Sequence, residues 1–478
     1  MNKRLISILA ALACIIGFRF LPPPAGMNAY GMEVVGILLG AIIFWLAVDV
    51  GWPSVVIVAA LMVSGFNTAK GVLAGSYGNW IIPFLICTFL VTYALSKTPF
   101  LKRCAIFFIT TPIAKKGPWY FVAMFFASVI FLGAFMSPSV LFIVFLPIVE
   151  EINRVLKQEK GSRIGQMMMM GLVFSASIGA GITPISHVFP LAGMSVYESM
   201  TGQAISYANY MAFGIPCGIV MFLVMLLMFK LVYRADLKEI EGVDASELKK
   251  ALPPVEMGEK ISIAVTCLVV FLWLAPDILK SIAPAAASAI SDLGTAFPPM
   301  LGASLLAIFT YKGKPLLNFN EGMQKGVPWG SVIMCTATNV LGSALTNEEV
   351  GLSAFLTEKL SPVASGLAPV LIIAFFLLWA MIQTNLSSNI VTITICSTIA
   401  IPIAMASSGA LNTPALVGVI CAMGSFAFAT PPGHANIGIA AGTGWASMSS
   451  FVKYGALLGL LGVLVLLGVG YPIASMVM

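Results

Sequence analysis

Between Lys359 and the last residue, Met478, the sequence holds one charged side chain, Lys453, and no Asp or Glu. A soluble domain of that size carries about 25% charged residues on its surface and in its loops. The same scarcity runs through the whole chain: of 478 residues, 9% are charged and 59% hydrophobic, and the mean hydropathy is +1.00. Such a chain reads as an all-α polytopic membrane protein, because helices satisfy their own backbone hydrogen bonds in lipid. An ordinary cytosolic enzyme is excluded. The 44 Gly and 28 Pro lie scattered within apolar runs, which also excludes collagen and low-complexity disorder.

The net charge of +6 does not mark a nucleic-acid partner, because the basic residues fall in short clusters between apolar stretches instead of forming one face. The partner they imply is the lipid bilayer. The 8 cysteines show no C-x-x-C spacing and sit mostly inside apolar runs, so they read as packing residues. No Walker loop, H-E-x-x-H, Gly-x-Ser-x-Gly or metal-ligand cluster is present, so neither ATP-driven pumping nor hydrolysis is expected.

A crossing needs roughly 20 apolar residues, and on this basis we expect about 11 transmembrane helices plus two re-entrant hairpins. Residues 1–32 hold a first span, near 5–20, and a loop; Leu21-Pro22-Pro23-Pro24 lacks a signal-peptidase pattern, so the span is retained. Further spans follow at 33–49, 52–66, 79–96, 164–190 and 207–232, and after a polar linker at 233–260 come 261–276, 295–311, 327–345, 414–440 and 453–473. Basic residues orient the chain with its N-terminus in the cytoplasm and its C-terminus outside; Arg19, Lys70, Lys280 and Lys359 are the exceptions. Glu33, Asp49, Glu150 and Glu151 fall at predicted span ends, where solvent accounts for them, and the run Met167 to Met170 reads as adaptable packing.

Two long apolar stretches do not fit single crossings. The segment 119–149 has basic clusters on both flanks and Ser137-Pro138-Ser139 in its middle, which predicts a hairpin over 119–153 that enters and leaves by the cytoplasmic face. The segment 366–406 is interrupted by Gln383-Thr384-Asn385-Leu386-Ser387-Ser388-Asn389 and predicts a second hairpin from the other side. Each hairpin precedes a span broken by Gly and Pro, and each break contains T-P-x-x-H: Thr183-Pro184-Ile185-Ser186-His187 and Thr430-Pro431-Pro432-Gly433-His434. These are the chain's 2 histidines. Residues 33–232 and 261–478 therefore form an inverted repeat, with the substrate site expected at the repeat interface. Broken backbone at membrane depth exposes half-helix ends, hydroxyls and imidazoles, a set that suits an anion. Kinking alone is the bland alternative for any one Gly/Pro break, and helix-to-helix hydrogen bonding for either histidine.

These residues resemble the divalent anion:sodium symporters, the di- and tricarboxylate and sulfate carriers. The likeness runs through Pro22-Pro23-Pro24, Gly133 to Pro147, Ser175-Ala176-Ser177-Ile178-Gly179, the second hairpin, Ala429-Thr430-Pro431-Pro432 and Phe451-Val452-Lys453. It implies substrate contacts at Ser137, Ser139, Thr183, His187, Ser388, Asn389, Thr430, Pro431 and His434, and sodium ligands among Ser137, Ser186, Thr384, Asn389 and Gly433. It also implies an elevator-type motion, a homodimer and an inner-membrane location. The family's Ser-Asn-Thr tips are altered here: the first reads Ser137-Pro138-Ser139 and the second Ser388-Asn389-Ile390. Pro138 offers no side-chain oxygen to a hard cation, which leaves the first sodium site in question. Whether Thr430 or His434 takes the family's hydroxyl position stays open. The expected function is secondary transport of a small divalent organic anion, of the C4-dicarboxylate type, coupled to sodium or run as exchange. A sulfate carrier is the alternative within the class, and an anion channel the alternative outside it.

Overall fold

The computed structural model describes residues 3–24, 27–185, 187–237, 249, 252–347, 349–351, 355, 358–359, 366–407 and 409–478. The described chain is all-α and polytopic, apart from a two-residue antiparallel ladder that pairs Thr310–Tyr311 with Lys314–Pro315. That ladder closes a tight turn in which Lys312 and Gly313 take positive φ. Among the described residues, 7 helices are long and apolar enough to cross a membrane alone. The higher count expected from sequence includes spans that the structure divides or shortens: 52–66 is Gly51–Val63, 295–311 is Phe297–Ile308, and 414–440 is split. The linker expected over 233–260 ends early, because its last residues already belong to the helix Met257–Leu279; residues 238–248 and 250–251 lie outside the described set.

Both expected hairpins are helix pairs with short joints. The first consists of Pro118–Gly133 and Pro138–Val155, and Ser137 caps the second limb by accepting the Val140 N–H at 3.4 Å. Pro138 follows at the first helical position, where its missing N–H costs nothing. The second consists of Pro369–Leu386 and Asn389–Ala406, which pack against each other and meet at Ser387-Ser388.

The broken spans lie between the hairpins. The first is Arg163–Ile182 followed by Val188–Thr201, the second Thr413–Ser425 followed by Ala435–Gly442. Arg163–Ile182 is the central helix, 94% buried over its apolar window, whereas Met257–Pro276 is 33% buried and presents most of its surface outward. The first hairpin packs on this central helix at a glycine crossing, where a Cβ on Gly179 would stand 2.7 Å from the Gly133 Cα. The helices Val188–Thr201 and Thr413–Ser425 pack on one another and on the second hairpin's Asn389–Ala406. On its other side Val188–Thr201 meets Trp329–Thr346, which in turn packs on Gly51–Val63.

Shorter helices that sequence reasoning did not resolve complete the fold. Phe100–Ile109 opens the segment Phe100–Lys116, bent by 64° from Ile81–Ser96, and is pinned by Arg103, whose guanidinium grips Glu259 of Met257–Leu279 through bonds of 3.1 and 3.2 Å. Phe319–Lys325 is capped by Asn318 and seats on Ile81–Ser96, where Gly322 faces Leu90 and Gly326 faces Tyr93.

Candidate functional site

Each break ends on a histidine with extended backbone. His187 immediately precedes Val188–Thr201 with φ −121° and ψ 125°, and His434 immediately precedes Ala435–Gly442 with φ −147° and ψ 101°. The two T-P-x-x-H elements thus occupy equivalent places, at the mouth of the second half-helix. Their surroundings differ. His187 is buried and its Nε2 lies 2.5 Å from the Gly133 carbonyl of the first hairpin. His434 is 8% exposed, and neither ring nitrogen has a hydrogen-bond partner among the described residues. An imidazole buried to that extent without a protein partner is costly unless something else bonds to it.

Both rings line one cavity of about 640 Å³, which also takes in Ser137, Pro138 and Ser139 of the first hairpin tip, and Val188 and Phe189. Three helix N-termini converge here: those of Pro138–Val155, Val188–Thr201 and Ala435–Gly442. Each brings the positive end of its dipole to the cavity. Farther out the wall is Thr92, Tyr93, Ser96, Lys97 and Lys325, and no acidic residue is among the described residues lining the cavity. Beside it, Glu321 Oε1 accepts from Tyr93 at 2.7 Å, Lys97 at 3.3 Å and Lys325 at 3.4 Å. The Tyr93 hydroxyl first, and the two ammonium groups after it, hold the Glu321 carboxyl down to about 2.

The remaining residues singled out by sequence sit apart from that cavity. Thr183 donates to the Ala134 carbonyl and accepts the Ile185 N–H at 3.3 Å, so it fastens the first break to the hairpin joint. Ser186 lies outside the described residues. The second hairpin tip is closed around the second break. Asn385 Oδ1 accepts the N–H groups of Phe428 at 3.0 Å and Ala429 at 2.8 Å, while Thr430 donates to the Asn385 carbonyl and Thr384 to the Gly424 carbonyl. Gly433 is needed for this closure, since a Cβ there would stand 2.2 Å from the Thr384 carbonyl oxygen. Ser388 precedes Asn389–Ala406 and its carbonyl accepts the Thr392 hydroxyl at 3.1 Å. Asn389 is buried, with no partner for Nδ2 among the described residues, and Pro431 is half-buried beside Gly438.

Asn436, which sequence reasoning did not single out, and Ser177, named there only within a family motif, tie the halves together. Asn436 donates to the Pro138 carbonyl at 3.0 Å, and Ser177 to the Ala427 carbonyl at 3.3 Å. Their partners are backbone atoms hundreds of residues away, and no local pattern announces them.

A second cavity, about 610 Å³, lies at the opposite end of the same seam and is bordered by Trp80, Ser195, Glu198, Tyr207, Trp273 and Thr295. Helices Ile81–Ser96 and Val188–Thr201 contribute to both cavities from their two ends. Between them Phe84 packs on Trp80, Tyr207 and Trp273 at centroid distances of 5.6 to 5.9 Å.

Comparison with known proteins agrees with this architecture. Residues 2–478 match the family described as the sodium:sulfate symporter transmembrane region. The chain belongs to that family. A sodium-dependent dicarboxylate transporter, SdcS, of Staphylococcus saprophyticus is 26% identical to this symporter-family chain, over 94% of it and 87% of the relative. SdcS of Staphylococcus aureus is 24% identical over 98% and 91%. The crystal structure of the YdaH transporter of Alcanivorax borkumensis is similar in fold, with a TM-score of 0.54 and 14% identity, covering 83% of this chain and 86% of that one. A transporter, not an enzyme, is what a symporter-family chain with this site represents.

Proposed function

We propose that this protein is a secondary carrier of a small dicarboxylate dianion, coupled to sodium, working by alternating access across the plasma membrane of a bacterium. The observation that carries the reading is the convergence of three helix N-termini with the unpartnered His434 on a cavity lined by lysines and no described acid. In such a place a carboxylate meets N–H groups, the Ser137 and Ser139 hydroxyls and an imidazole, all positioned before it arrives. The names of the SdcS relatives support both the dicarboxylate and the sodium.

For sodium, the second hairpin tip is the better fit of the two. It sets the Thr384 carbonyl against Gly433 and holds the neutral Asn385 side chain beside it, with the uncharged Ser388 and Asn389 next in the chain. A hard cation takes oxygen ligands of this kind. The first tip presents Pro138 at the corresponding place, which favours fewer sodium ligands there. The equivalent histidine positions support the inverted repeat, with 33–232 and 261–478 as its halves. The cavities at opposite ends of one seam support an elevator-like movement of hairpins and broken spans past Ile81–Ser96, in a homodimer with the N-terminus cytoplasmic.

The family description names sulfate, so sulfate is the second reading. Proteoliposomes decide between them: uptake of labelled succinate, malate, 2-oxoglutarate, citrate and sulfate is measured under sodium gradients and against internal counter-anion. Sodium-driven, saturable succinate or malate uptake is expected. Uptake of sulfate alone, or anion flux that never saturates, overturns the dicarboxylate carrier. Flux that requires internal anion and ignores sodium replaces symport with exchange.

A further inference from the structure

The cavity wall contains a second carboxylate-binding arrangement, and the chain fills it with its own side chain. Tyr93, Lys97 and Lys325 all line the cavity, and all three direct a donor at one oxygen, Oε1 of Glu321. The arrangement is built rather than incidental. Asn318 Oδ1 accepts the Glu321 N–H at 3.1 Å and fixes the start of the helix, and a Cβ on Gly326 would stand 2.8 Å from the Tyr93 Cβ. Lys97 is also held over the Tyr93 ring, 4.7 Å from its centroid.

We propose that Tyr93, Lys97 and Lys325 form a way-station for one carboxylate of the transported dianion, with Glu321 as the resident counter-ion that the substrate displaces. The inference rests on the anion-carrier reading above. Two ammonium groups face one carboxylate, so the trio keeps a surplus positive charge with Glu321 in place. A dicarboxylate has one carboxylate to take the Glu321 contact and a second to offer the donors deeper in the cavity, whereas a monocarboxylate has no second group to offer. The contacts are half-exposed to exposed, and ion pairs in such places are individually weak, so exchange is easy in both directions. From this trio the path inward leads along the same wall to Ser137, Ser139 and His434. Glu321 thereby screens the cavity from passing anions and favours those of charge −2.

A purely structural salt bridge predicts that losing either sign of charge has the same effect. The way-station predicts opposite effects, confined to one membrane face. Succinate KM is measured by counterflow in right-side-out and in inside-out vesicles for wild type, Lys97→Gln, Lys325→Gln, Lys97→Arg and Glu321→Gln, with sulfate run in parallel. At the face bearing these residues, Lys97→Gln and Lys325→Gln raise KM by about 2- to 5-fold, Lys97→Arg stays near wild type, and Glu321→Gln lowers KM. At the other face KM is unchanged in all four. A KM for Glu321→Gln that is unchanged or raised overturns the inference, as does an equal change at both faces. Melting temperatures of the purified variants separate a KM change from misfolding. Failure of wild type to move succinate or sulfate defeats the carrier reading and this inference with it; wild-type transport without opposite signs defeats the inference alone.

Discussion

Asn436, just inside the last half-helix of the second broken span, donates its Nδ2 hydrogen to the carbonyl of Pro138 at the tip of the first hairpin, 3.0 Å away and 298 residues earlier in the chain. This bond holds one wall of the cavity against another. Pro138 is a buried residue at the start of its helix, and Asn436 is a direct link between the tip and the second half.

Asn436→Leu is expected to remove this second bond to a carbonyl that its own helix already engages, and to lower stability by about 0.5–1.5 kcal/mol. Thermal unfolding of the purified protein in detergent reads the loss. Because the bond positions Ser137 and Ser139, succinate KM rises as well, and a variant with wild-type melting and wild-type KM would contradict the account.

The two histidines are expected to respond differently to removal. His187→Ala takes away the partner of the Gly133 carbonyl and costs about 1–3 kcal/mol of stability. His434→Ala removes no protein hydrogen bond, so its melting temperature changes little while anion uptake falls. Comparing melting and uptake for the pair checks this; equal loss of stability in both would place His434 among structural side chains.

Gly179→Ala tests the glycine crossing. Its Cβ meets backbone atoms of Gly133 at 2.7 and 2.9 Å, and backbone does not swing aside as a flexible side chain does. Forcing the helices apart costs about 1–3 kcal/mol. Folded yield and melting temperature are the measurements, with Gly117→Ala avoided as a control because its φ of 154° adds strain of its own.

Asn385→Ala strips two buried N–H groups, those of Phe428 and Ala429, of their acceptor. At about 1–3 kcal/mol for each unpaired donor the second tip loosens from its break. Sodium titration of succinate uptake is expected to show weaker sodium dependence on half-saturation, whereas Thr443→Ala, on the far end of Ala435–Gly442, leaves the sodium titration unchanged.

Glu321 supplies a pH prediction. Its folded carboxyl titrates at about 2, below the ordinary 4.5, because Tyr93, Lys97 and Lys325 bond to the charged form. A depressed folded value contributes stability that is present above the ordinary carboxylate range and lost as pH falls toward about 2. The melting difference between wild type and Glu321→Gln is therefore small but constant above about pH 5 and vanishes on acidification. A difference that changes between about pH 6 and 8 would belong to another group.

Much of this was legible in the sequence for a physical reason. An apolar run too long for one crossing and broken by Ser, Asn and Pro has few ways to satisfy its backbone in lipid, so both hairpins follow from 119–149 and 366–406 alone. T-P-x-x-H marks both breaks because proline stops a helix and histidine is expensive at depth. Two things were not legible. Phe100–Ile109 and Phe319–Lys325 are shorter than a crossing and carry charge, so hydropathy passes over them. The acts of Asn385, Asn436 and Glu321 depend on partners reached through the fold, Tyr93 lying 228 residues from Glu321. The family resemblance drew attention to Ser388 and Thr430, yet the residue that organises the second tip is the neighbouring Asn385.

Three helix ends around one cavity mean that a share of its attraction for anions is written in peptide groups, which every amino acid carries. That share, unlike the part owed to Lys97, Lys325 and His434, is not erased by one side-chain change and does not titrate. Side chains at Ser137, Ser139 and His434 are then free to drift, sorting one dianion from another by size and hydrogen-bonding pattern while the preference for negative charge is inherited with the backbone itself. A lineage built on this scaffold is expected to change its cargo far more readily than the sign of the charge it moves.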